Sequence, residues 1–312
     1  MTRFAFVFPG QGSQAVGMLD AWAEHPVLRQ TLQEASDALG EDVGALIAQG
    51  PKESLDLTTN TQPVMLTAGI ANYRIWLAET GLTPSIVAGH SLGEYTALVA
   101  AGVLTLADAL PLVRLRAQAM QDAVPVGTGG MAAILGMDAE EVRQHCLKVA
   151  QESGEVVEAV NFNDPKQTVI AGSKDCVAKA CEVLKAAGAK RALPLPVSAP
   201  FHSSLMKPAA ERLKEKLASV EIGVPQITVL NNVDVAVETE AGRIRDALYR
   251  QAFGAVRWVE SVQALKARGF GHVLECGPGK VLAGMVKRID AEIVTGTVYD
   301  PASLSEVRAL LG

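Results

Sequence analysis

The stretch Gly89-His90-Ser91-Leu92-Gly93 constrains this chain more than any other. An apolar, β-prone run, Ile86-Val87-Ala88, ends at Gly89, and a helix-compatible run, Leu92 to Ala101, begins directly after it. A strand that passes into a helix through G-x-S-x-G must turn sharply, and glycines at both ends permit the close backbone approach the turn needs. Ser91 is then held out on a strained corner as a candidate nucleophile. Leu92 offers a free backbone N–H at a helix N-terminus, placed to donate to an oxyanion formed when a serine attacks a carbonyl. The same five residues also suit an ordinary helix start capped by serine, so the turn alone leaves both readings open.

Strand and helix patterns alternate along the rest of the chain. Apolar, β-prone runs are expected as strands at 3–8, 86–89, 226–230 and 272–276, separated by helical periodicities such as 104–124, 242–251, 259–268 and 280–289. Thr61-Gln62-Pro63 reads as a cap with proline in the first turn, predicting a helix from there to Thr80. Repeated strand-helix units imply a mostly parallel sheet with helices on both faces and catalytic loops at the strand carboxyl ends. Residues 125–130 (PVGTGG) break the composition, and the following β-α-β-β-α-β order is the ferredoxin-like arrangement. The expected fold is therefore α/β: a large domain, 1–127 and 198–312, carrying the G-x-S-x-G nucleophile elbow, with an inserted ferredoxin-like small domain, 128–197. A cleft between two such domains is a common place for ligands.

Composition narrows the function classes. A content of 49% hydrophobic and only 4% aromatic residues suits helix-on-sheet packing. The net charge of −6 argues against general binding to nucleic acid or to an anionic membrane. No apolar run approaches the ~18 residues that span a bilayer. Met1-Thr2-Arg3 leads straight into a strand without a small-residue cleavage site, so a cytoplasmic enzyme is expected. Cys146, Cys176, Cys181 and Cys276 lack C-x-x-C spacing, and neither disulfides nor a metal site is expected.

Three further residues stand out. Gln11 sits between Gly10 and Gly12 after the first strand, in a loop whose backbone could approach a ligand closely, though a glycine turn capped by glutamine reads equally well. Arg116 has Leu112, Ala119 and Met120 on its helical face, which buries a guanidinium that then needs an anionic partner. That partner is either a distant Asp or Glu of the protein or a bound carboxylate. His202 lies at a strand-to-helix junction in Ser198-Ala199-Pro200-Phe201-His202-Ser203 and is the preferred general base, against a role in capping its own helix. His25, His145 and His272 lack such a context, and the ring of His90 in the tight turn would tend to point elsewhere.

Together these residues resemble one family: the malonyl-CoA:acyl carrier protein transacylases of fatty acid synthesis, relatives of polyketide synthase acyltransferase domains. The likeness rests on Phe8-Pro9-Gly10-Gln11-Gly12-Ser13-Gln14, Asn60-Thr61-Gln62-Pro63, Gly89 to Tyr95, the Arg116 helix, Ser198 to Ser203 and Gly277-Pro278-Gly279-Lys280, in that order along nearly the whole chain. The resemblance implies Ser91 as the acylated nucleophile, His202 as base, the N–H groups of Gln11 and Leu92 as oxyanion donors, and Arg116 as partner of the malonyl carboxylate. It implies that the Gln251 carbonyl orients His202, and that Gln62, Asn163 and Gln167 contact substrate or pantetheine. No cofactor or metal is implied, since the coenzyme A thioester is the substrate; the partners are malonyl-CoA and an acyl carrier protein, and a monomer is expected. Ala117 departs from the glycine that many relatives carry after the arginine. A bulky Phe201 beside the base would leave little room for an α-methyl substituent, and Lys190, Arg191, Lys280, Lys287 and Arg288 are candidate contacts for an acidic carrier protein.

The rival enzyme reading is an α/β-hydrolase-type esterase or thioesterase, which shares G-x-S-x-G but places an acidic residue before a late histidine and uses a His-Gly-Gly-type oxyanion loop. A malonyl transferase of a polyketide pathway is a second alternative. A carrier-docking module without chemistry is a third.

Overall fold

The computed structural model describes residues 2–197 and 199–312; Met1 and Ser198, hence the first residue of the expected large domain and the expected boundary at residue 198, lie outside the described residues. Nine strands are present among them: β1 (Ala5–Phe8), β2 (Ile86–Gly89), β3 (Gly129–Leu135), β4 (Val157–Asp164), β5 (Gln167–Ser173), β6 (Arg191–Pro194), β7 (Thr228–Leu230), β8 (Val273–Cys276) and β9 (Thr297–Val298). One sheet has the order β7-β2-β1-β8-β9, with every pair parallel. The other has the order β4-β5-β3-β6, with every pair antiparallel. Counted within their own segment, β6, β3, β5 and β4 are the fourth, first, third and second strands, the ferredoxin-like order.

The parallel sheet is buried on both faces, so its strands read as continuous apolar runs. Along β1, Phe6 and Phe8 enter one core and Ala5 and Val7 the other. The first core is roofed by the helix Thr58–Thr80, whose Trp76 meets Phe6 edge-on with ring centroids 5.3 Å apart. The second is closed by Trp258–Ala267 and Val281–Ile289. In the antiparallel sheet, Ala132, Ile134 and Ile170 face the helices Ala139–Ser153 and Lys174–Ala186.

Two elements differ from the sequence-based expectation. The helix expected from Thr61 starts at Thr58 and carries Pro63 inside it. The Asn60 and Thr61 side chains donate to the carbonyls of Ser54 and Leu55 (2.9 and 2.7 Å), tying the extra turn to the preceding helix rather than capping a new one. Strand β9 was not expected, because two residues are too short to carry an alternation.

The sheets are joined where β4 meets the large body. Val256 N–H donates to Val160 O (2.8 Å), Phe162 N–H donates to Val256 O (3.0 Å), and Arg288 pairs with the buried Asp164 at 2.6 Å. A cavity of about 520 Å³ opens between them, lined by the loops after β1 and β2 on one side and by β3, β4, Leu195, Pro196, Val197, Phe201 and His202 on the other.

The glycines of the elbow are fixed by contact. A Cβ on Gly89 would lie 1.9 Å from the Gly93 carbonyl, and one on Gly93 would lie 2.0 Å from Phe8 O. Backbone rather than a flexible side chain blocks both. Gly93→Ala is accordingly expected to cost about 3 kcal/mol or more, read as a drop in Tm or a loss of soluble protein; an unchanged Tm would mean that the turn is not packed this closely.

Candidate active site

Ser91 sits at the tip of the elbow with φ 52°, a left-handed conformation costly for a residue with a Cβ. Its peptide is held on both sides. Its N–H donates to Asn232 Oδ1 (2.7 Å), and its carbonyl accepts from Gln251 Nε2 (3.0 Å). Asn232 Nδ2 also donates to Gly89 O at 2.6 Å, so one side chain spans the turn.

His202 comes to the same point from 111 residues away, with Nε2 2.7 Å from Ser91 Oγ. Its backbone is also left-handed, at φ 64°. The tautomer follows from its other partners, because Nδ1 lies 3.0 Å from Gln251 O and 3.1 Å from Gly254 O. Both are acceptors only, so Nδ1 carries the proton and Nε2 is left bare to receive one. Burial, followed by the charge of Arg116, pushes the imidazolium pKa down to about 3. Ser198, the first residue of the His202 segment, lies outside the described residues.

Arg116 is buried at 2% exposure, and among the described residues no carboxylate pairs with it within ion-pair distance. Its Nη1 donates to Gln62 Oε1 (2.8 Å), and its Nη2 donates to Gln251 Oε1 (3.0 Å) and Ser91 Oγ (3.2 Å). Nε has no acceptor, while the guanidinium carbon stands 5.3 Å from the Tyr95 ring centroid. A cation held by amides, a hydroxyl and an aromatic face keeps most of its charge. Of the two partners left open by the sequence, the direct salt bridge is not found among the described residues.

The cavity is lined by Gln11, Gln62, His90, Ser91, Leu92, Phe201 and His202, among others. Among the described residues no hydrogen-bond partner is found for the backbone N–H groups of Gln11 and Leu92, and both residues line the cavity with Ser91. Gly10, where a Cβ would lie 2.6 Å from His90 O, lets the Gln11 loop close onto the elbow. Asn163 is buried outside the lining and bonds the His90 ring at 2.8 Å. Gln167 is also outside it, at the start of β5 opposite Leu135. Of the nine expected residues, Gln11, Gln62, Ser91, Leu92 and His202 line the cavity, Arg116 and Gln251 stand outside the lining but bond Ser91, and Asn163 and Gln167 do neither. His90, set aside in the sequence, does line the cavity, but its Nε2 is taken by Asn163.

Three contributors went unread in the sequence. Gly254 acts through a carbonyl, for which no residue type is a signal. Asn232 stands just past an apolar strand, a position open to ordinary turn chemistry. Glu94 lies inside the elbow segment itself, and only its burial and partners distinguish it from a solvated helix residue. Among the described residues no group of three His, Cys, Asp or Glu could hold a metal, and no helix is long and apolar enough to cross a membrane.

Comparison with known proteins identifies the family. The acyl transferase domain model matches residues 5–293. The malonyl CoA-acyl carrier protein transacylase of Salmonella typhimurium is 53% identical, over 98% of each chain. The solved acyl-carrier-protein S-malonyltransferase of Burkholderia pseudomallei is 64% identical, with a TM-score of 0.97, over 99% of this chain and all of that one. A malonyl-transacylase solved in complex with its type II PKS acyl-carrier protein is 51% identical, with a TM-score of 0.96, over 99% and 100%. A strained serine against a carbonyl-oriented histidine, in a fold shared with these proteins from end to end, means that the chain belongs to the acyl transferase family, among the malonyl CoA-acyl carrier protein transacylases.

Proposed function

We propose that this protein moves the malonyl group of malonyl-CoA onto the phosphopantetheine thiol of an acyl carrier protein through a malonyl-Ser91 ester. The observation that carries the reading is the buried Arg116, donating to Ser91 Oγ at 3.2 Å with no carboxylate paired to it among the described residues. An acyl group bearing a free carboxylate completes that site. The carboxylate exchanges with the Gln62 or Ser91 oxygens at the guanidinium.

In the first half-reaction Ser91 Oγ attacks the thioester carbon while its proton passes to His202 Nε2. The oxyanion is received by the N–H groups of Gln11 and Leu92, and loss of one such donor costs about 3 kcal/mol in typical cases. The C–S bond then breaks and the departing thiolate takes the proton from His202. In the second half-reaction the carrier thiol gives its proton to His202 and attacks the ester carbonyl, and Ser91 Oγ leaves and recovers the proton. The thioester itself supplies the leaving group, so the step draws on no cofactor. Phe201 beside the base favours malonyl over its α-methyl homologue.

Two features argue against the hydrolase reading. His202 is oriented by two carbonyls instead of a carboxylate, and the oxyanion loop is Gly10-Gln11-Gly12. We assign the protein to the cytoplasm, its product to fatty acid synthesis, and residues 128–197 to an inserted domain. The likeness to a transacylase solved with a type II PKS carrier supports polyketide supply as the second reading. Among the cations expected to meet the carrier, Arg288 is engaged by Asp164 and Lys287 by Ala291 O. Lys190, Arg191 and Lys280 are exposed and have no ion pair among the described residues, and are retained for that role.

The test is intact mass after malonyl-CoA treatment. One malonyl adduct on Ser91, discharged by holo carrier protein, is expected; hydrolysis that ignores the carrier would sink the transferase reading.

A further inference from the structure

Glu94 is 2% exposed, and while its backbone N–H donates to Ser91 O (3.1 Å), the hydrogen bonds of its side chain go to groups that do not react. Its Oε2 accepts from Asn232 N–H (2.9 Å) and from Gln251 Nε2 (3.0 Å). These are the two residues that grip the Ser91 peptide from opposite sides, Asn232 at its N–H and Gln251 at its carbonyl. Gln251 also presents its carbonyl to His202 and its Oε1 to Arg116. One carboxylate oxygen is therefore the common anchor of the strained nucleophile turn, the base and the guanidinium.

We infer that Glu94 is the positioning residue of the site: it locks Asn232 and Gln251 in register so that Ser91 Oγ stays aligned with His202 Nε2. The inference rests on the proposed transfer reaction. A left-handed Ser91 persists only when its surroundings over-determine it, and two amides sharing one acceptor do so. Burial pushes the Glu94 carboxyl up to about 7, against the pull of its hydrogen bonds. The neutral acid still presents Oε2 as an acceptor, so the anchor depends on reach rather than on charge. Glutamine reproduces that reach. Its added NH₂ would face a pocket of about 20 Å³ lined by Asn231 and Glu238, large enough for one water.

Two variants separate reach from charge. Glu94→Asp keeps the charge and withdraws the oxygen by one methylene; Glu94→Gln keeps the oxygen and removes the charge. With wild-type transfer from malonyl-CoA to carrier protein established first, Glu94→Asp is expected to lower kcat about tenfold or more with KM for malonyl-CoA changed less than about threefold, while Glu94→Gln keeps kcat within about threefold. Glu94→Asp at or above the kcat of Glu94→Gln, with both proteins folded by circular dichroism, overturns the inference; should the Asp variant not fold, a tenfold loss of kcat in Glu94→Gln does so alone. Absence of transfer by the wild type would instead remove the functional reading on which the inference rests.

Discussion

Ser91→Ala is expected to lower malonyl transfer by at least about 10⁴-fold and to abolish the malonyl adduct, because the attacking oxygen, 2.7 Å from the bare His202 nitrogen, is gone. His202→Ala should cost about 10³-fold, the range for a general base, while leaving slow acylation of Ser91 measurable. The double variant should be little worse than Ser91→Ala, since residues that act as a unit do not contribute additively. A Ser91→Ala protein with full transfer activity would revive the reading of a docking module without chemistry.

The acid behaviour of His202 follows from its surroundings. Burial and Arg116 hold its pKa at about 3 against an ordinary 6.5, so the base stays unprotonated through the mildly acidic range and acylation should persist below pH 6. Stability has a definite sign. Between about 6.5 and 3 the unfolded chain binds a proton that the folded chain refuses, so this histidine lowers folding stability as pH falls through that window. Denaturant midpoints at pH 7 and pH 5 should therefore differ less in His202→Gln than in the wild type.

The readings that rest on local chemistry come out close to the structure. Residues 86–93 specify their own turn: an apolar strand, two glycines that the backbone of Phe8 and of Gly93 itself would otherwise block, and a serine between them. The two sheets followed from the strand-helix alternation and from the composition break at 125–130. Arg116 was legible as a buried cation because helical spacing fixes its face, whereas its surroundings were not, since Gln62, Gln251 and Tyr95 come from three other segments. The same limit hid Asn232 and Glu94. Asn232 has unremarkable sequence neighbours and Glu94 carries no mark of its own inside the elbow segment, and their importance arises only when β7 pairs beside β2 and brings Asn232 to the turn. The Gly254 carbonyl has no side chain through which it could have been noticed.

Arg116→Ala should change the substrate more than the catalyst. If the guanidinium holds the malonyl carboxylate, its loss removes a charge-assisted contact in a buried site, and kcat/KM for malonyl-CoA should fall about 100-fold or more. Acetyl-CoA offers no carboxylate, so its transfer should change less than about tenfold, leaving a preference that is weakened or reversed. The residual loss with acetyl-CoA measures the second task of Arg116, its hydrogen bonds to Ser91 Oγ and Gln251 Oε1. Lysine is a poor substitute, because a compact ammonium cannot reach Gln62, Gln251 and a ligand at once, so Arg116→Lys should recover only a small part of the malonyl activity. Equal losses with both acyl-CoAs would instead assign Arg116 to holding the serine, and the carboxylate grip would have to lie elsewhere in the cavity.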